Sequence, residues 1–63
     1  MKLNIKWRYP NEEEMHEHTF FDINPQSVSI QYSMLHFHGN EDPYNKSWNF
    51  PISHVVEMRM EEE

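Results

Sequence analysis

Along most of this chain, apolar and polar residues alternate with a period of two. Leu3, Ile5, Trp7 and Tyr9 alternate with Lys2, Asn4, Lys6 and Arg8. Successive side chains of a strand point to opposite faces, so residues 2–9 predict a half-buried strand with a basic outer stripe. A second strand is expected over residues 14–23. There Met15, Thr19, Phe21 and Ile23 share one parity, and His16, His18, Phe20 and Asp22 share the other. The first set is read as inward. Over 28–38, Val28, Ile30, Tyr32 and Met34 alternate with Ser29, Gln31 and Ser33. The phase then slips at Met34-Leu35, and Leu35 and Phe37 carry the apolar set onward. A slip of one residue is the trace expected of a β-bulge, which bends its strand. Trp48 and Phe50 mark a fourth strand over 47–50. Val56, Met58 and Met60, opposite Glu57, Arg59 and Glu61, mark a fifth over 55–61.

Proline and asparagine punctuate these runs. Pro51 cannot donate to a ladder, so Pro51 to His54 is read as a short turn, one turn of 3₁₀-helix at most. Asn11 to His18 is the only helix candidate. It lacks an apolar stripe and reads as a hairpin loop. The class is therefore all-β. Five short strands, a bulged third strand and a brief turn before the last suit a small SH3-like or Sm-like barrel, or a strongly bent antiparallel sheet. The alternative is a four- or five-stranded meander that dimerises through one apolar face. A single domain is expected over 1–60, with Glu61 to Glu63 as a frayed acidic tail.

Composition narrows the reading. The chain has 63 residues, enough for one domain of small burial. It has no cysteine, which excludes disulfides and thiolate zinc sites. Aromatic side chains must supply the core area instead, and a second copy covering the sheet edges is another remedy. Five basic residues face eleven acidic ones, for a net charge of −6. That balance argues against non-specific nucleic-acid binding and suits a partner with a basic surface. No run approaches the ~20 apolar residues of a membrane-spanning helix. Met1-Lys2-Leu3 leads straight into a patterned strand, so no secretory leader is expected and a cytoplasmic setting is the default.

Three constellations are candidates for chemistry. His16-Glu17-His18 and His36-Phe37-His38 are two H-x-H pairs. If Ile23 pairs with Val28, then Phe21 faces Ile30, Thr19 faces Tyr32, and His36 lies across from His16. His18 and His38 then flank that pair, close enough for imidazoles to share a metal or to respond together to pH. The loop ahead of Trp48 holds Glu41, Asp42, Tyr44 and Asn45, the composition of a protein contact patch. Lys2, Lys6 and Arg8 form a basic stripe that either grips single-stranded nucleic acid or pairs with Glu57 and Glu61 across the sheet. Catalysis has little to stand on. Ser53 and His54 are adjacent but have no third partner, and no cofactor motif is present. The expectation is a non-enzymatic interaction module, of the accessory or phage-regulator type, that acts on a host protein.

Overall fold

The computed structural model describes residues 1–40 and 47–63. Its strands are β1 (Lys2–Trp7), β2 (His16–Phe20), β3 (Ser29–Gln31), β4 (Met34–His38), β5 (Ser47–Pro51) and β6 (Val55–Glu61). Two 3₁₀ turns, Pro25–Ser27 and Ile52–His54, complete the list, and the fold is all-β as the alternation implies. The strands form two three-stranded antiparallel sheets, ordered β2-β1-β6 and β3-β4-β5. Among the described residues these are separate ladders, joined by one isolated bridge between Ile23 and Gly39.

Each sheet buries its central strand. Leu3 and Ile5 of β1, Leu35 and Phe37 of β4, and Ile23 are fully buried. A layer of aromatics closes over them. Phe20 lies 5.2 Å from Phe37 and 5.0 Å from Trp48, ring to ring, and Trp7 lies 5.3 Å from Phe50. Edge-on and tilted rings at such distances add to the area each aromatic buries. This is how a chain without cysteine assembles a core at such a size.

The first strand behaves as its period predicts. Leu3 and Ile5 point in, and Lys2 and Lys6 point out. Lys2 meets Glu61 at 3.7 Å and Lys6 meets Glu57 at 3.6 Å, the cross-sheet pairing expected of that stripe. Both pairs are exposed and contribute little stability each. The short turn before the last strand is also present, at Ile52–His54.

Four expectations are corrected. The strand count among the described residues is six, because residues 28–38 hold two strands and a turn. Ile30 pairs with Leu35 and Gln31 with Met34, so the chain reverses through Tyr32 and Ser33. Reversal through two residues brings an even position opposite an odd one. That parity change is the slip at Met34-Leu35, and no bulge bends the strand there. The bulge that does occur lies in the β1–β6 ladder, between Lys6 and Trp7.

The second strand is shorter than expected and inverted in part. Phe20 packs inward, while Phe21 is 64% exposed and Met15 47% exposed. Ile23 is buried all the same, because Asp22 between them adopts φ 55° and rotates the chain. Ile23 then donates to the Met1 carbonyl at 2.7 Å, and Asn24 donates to the His38 carbonyl at 3.1 Å. One short segment thus reaches both sheets. The final correction is the β2–β3 hairpin, which does not form. β2 pairs with β1, and β3 pairs with β4.

Candidate functional site

The strand pairings sort the two sheets by charge. Outside the β2-β1-β6 sheet stand Lys2, Lys6, Glu17, Glu57, Arg59 and Glu61, with Asn4 and Thr19 between them. Outside the β3-β4-β5 sheet, Ser29, His36 and Asn49 align in one row. Gln31, Met34 and Pro51 form the next, and His38 and Ser47 a third. None of these eight is Lys, Arg, Asp or Glu, in a chain where 25% of residues are. Depletion of charged residues is one compositional feature shared by the cores of protein contact faces.

Local geometry stiffens this face. His36 Nδ1 lies 2.9 Å from Asn49 Oδ1, and His38 Nδ1 lies 2.9 Å from the Gly39 carbonyl. Both acceptors are oxygens, so each Nδ1 carries the proton and donates. The Ser27 hydroxyl accepts from the His38 amide at 3.0 Å, which ties the strand to the first 3₁₀ turn. Asn24 caps that turn through Oδ1, 3.0 Å from the Gln26 amide.

Tyr32 stands at the rim. It is 99% exposed, the most exposed large hydrophobic residue among those described. Its φ is 53° and that of Ser33 is 62°. A two-residue hairpin turn of type I′ needs φ > 0 at both central positions, which ordinarily calls for Asn-Gly or Asp-Gly. Tyr and Ser hold it at a cost of about 1 kcal/mol or more each. Tyr32, Gln31, Met34, His36 and Asn49 line a shallow depression of about 360 Å³. It is at the small end of ligand-sized cavities and more open than an active-site cleft.

The four histidines are not brought together. β2 aligns His16 with Trp7 and His18 with Ile5, so both lie on the core-facing side of the first sheet, at its edge. His36 and His38 lie on the outer face of the second sheet. The expected meeting of His16 with His36 depended on the β2–β3 hairpin and fails with it. His16 has other company. Its ring stacks on Trp7 at 5.5 Å and 18°, with the edge of Tyr9 5.4 Å away. Its Nε2 is 3.3 Å from Glu12, and one ligand atom each from Glu12, Glu14 and His16 fall within 4.8 Å of one another. The hairpin loop folds back over the strand it leads into, which three consecutive glutamates did not reveal.

Of the proposed contact patch, Glu41, Asp42, Tyr44 and Asn45 lie outside the described residues. Trp48 is half-buried, stacked on Phe37 at 5.5 Å and 24°. It supports the core rather than projecting from it. The residue that sequence reasoning missed is Tyr32, counted there as an inward position of an unbroken strand.

No protein-family model matches this chain, and no curated protein or solved structure matches it either. The functional reading therefore rests on the molecule's own geometry. No helix among the described residues is long and apolar enough to cross a membrane.

Proposed function

We propose that this chain is a non-enzymatic interaction module that engages another protein through the outer face of the β3-β4-β5 sheet. The observation that carries this reading is the uncharged face with Tyr32 fully exposed at its rim. Tyrosine is enriched among residues that dominate binding energy, and its ring has only two χ angles to fix on docking. The acidity of the rest of the chain gives a basic partner a favourable approach, while the contact itself is uncharged.

The test is capture from a lysate with wild-type and Tyr32→Ala protein side by side. A partner should be retained by the wild type and lost by the variant, with affinity down roughly tenfold or more. Glu57→Gln, on the other sheet, should leave retention unchanged. Once docked, the complex should persist from low to moderate salt, because an uncharged contact is little screened. A partner held equally by Tyr32→Ala, or nothing held by either, defeats the reading.

A second reading rests on Glu12, Glu14 and His16. Two carboxylates and an imidazole clamped by Trp7 and Tyr9 offer a divalent transition metal three ligands with one ring already oriented. Zinc at a hundredfold excess over its dissociation constant should add about 2.7 kcal/mol of stability. For so small a domain that is a rise of roughly 10 °C or more in Tm. Glu14→Gln and His16→Ala should abolish the rise, and His36→Ala should not. A melting curve indifferent to zinc ends this reading.

A further inference from the structure

β6 is a sheet edge, and it is the longest strand among the described residues, at seven residues. An edge strand presents a row of unpaired backbone donors and acceptors, and proteins protect such rows when they work alone. The other edges are short or blocked. β3 has three residues, β5 ends in Pro51, and β2 has five. Among the described residues nothing pairs with the outer side of β6. Two of its apolar residues, Val56 and Met58, are 55% and 40% exposed.

The sequence of β6 is self-complementary. Two copies paired antiparallel about a two-fold axis keep the same face of each sheet upward, so only residues of like parity meet. With the axis at Met58, Glu57 lies opposite Arg59 of the partner subunit, and Arg59 lies opposite Glu57 of the partner subunit. On the other face Met58 meets its own copy. Slipping the register in either direction destroys this. An axis at Glu57 sets glutamate against glutamate. An axis at Arg59 sets arginine against arginine and Glu57 against Glu61. Opposite charges directly across a ladder stabilise it and like charges oppose it, so the charges favour this register over either neighbouring one.

We propose that the protein forms a symmetric homodimer through β6, merging two copies of the first sheet into one six-stranded sheet with its axis at Met58. The occupant of the edge is a second copy because the edge's own charge pattern complements itself. Within one chain, among the described residues, Arg59 reaches the carboxylates of its strand neighbours, Glu57 at 3.6 Å and Glu61 at 3.8 Å. The dimer gives it a carboxylate across a ladder. The Tyr32 face belongs to the other sheet, so the two surfaces do not compete.

Sedimentation equilibrium on the full chain tests this. The wild type should show twice the 7.8 kDa mass of one chain at high concentration. Glu57→Arg turns both central pairs into arginine against arginine, and Arg59→Glu turns both into glutamate against glutamate. Each should weaken dimerisation by about tenfold or more. The double variant, Glu57→Arg with Arg59→Glu, should restore it, although within the chain it still lacks the Lys6–Glu57 pair. Circular dichroism confirms that each variant folds. A mixed sample of isotope-labelled and unlabelled wild type gives the check that needs no variant, through intermolecular contacts at the Met58 methyl. A single-chain mass up to millimolar concentration overturns the proposal. So does a dimer indifferent to the single swaps, a double swap that fails to restore it, or a dimer without the Met58 contact.

Discussion

Phe37→Ala should leave the chain largely unfolded at room temperature. Phe37 is fully buried at the centre of β4, and its ring touches those of Phe20, Trp48 and Phe50. Phe→Ala in a packed core costs about 3–5 kcal/mol, from lost transfer energy and the cavity left behind. A domain of 63 residues has a total stability of only about 3–9 kcal/mol. The substitution therefore consumes most or all of it. Near-ultraviolet circular dichroism, which reports the packed tryptophans, should collapse, and the thermal transition should fall by roughly 15 °C or vanish. Phe37→Leu keeps most of the volume and should remain folded. A Phe37→Ala protein melting within a few degrees of wild type means that Phe37 is not the centre of the core.

The largest gain should come from the opposite kind of change. Replacing Tyr32-Ser33 with Asn-Gly should stabilise the fold by about 1–2 kcal/mol, because both positions then suit φ > 0. That corresponds to a rise of roughly 5–15 °C in Tm. No packing is lost, since Tyr32 is 99% exposed. The same variant should lose the proposed partner. Ser33→Gly alone should gain about half the stability while keeping Tyr32 and its binding. If Asn-Gly brings no stability, the turn is not strained. If it brings stability and keeps the partner, the strain serves something other than recognition.

The sequence was a good guide where one face of a strand is buried and nothing interrupts the alternation. Leu3, Ile5, Lys2 and Lys6 fall where the period puts them, and Pro51 does mark the turn into β6. It failed where a backbone angle changed the phase. Asp22 at φ 55° allows Phe20 and Ile23, of opposite parity, both to face inward. Tyr32 and Ser33 make a hairpin turn without the residues that announce one, so the slip at Met34-Leu35 was read as a bulge. Both devices reverse parity, and alternation alone does not tell them apart. The site followed the fold. With one hairpin misplaced, the histidines were drawn together. The uncharged face at Ser29, Gln31, Met34, His36, His38, Ser47 and Asn49 went unseen, though every one of those residues is in plain view.

The pairing of β1 with β6 joins Lys2 to Glu61, almost the full length of the chain apart. β1 is also the central strand of its sheet, so Leu3 and Ile5 are not fully covered until β6 arrives. Closing so long a loop is slow compared with forming the local β3–β4 hairpin. During synthesis the hairpin can form early, while the first strand waits with its apolar side open. The first sheet is therefore complete only after β6 has left the ribosome.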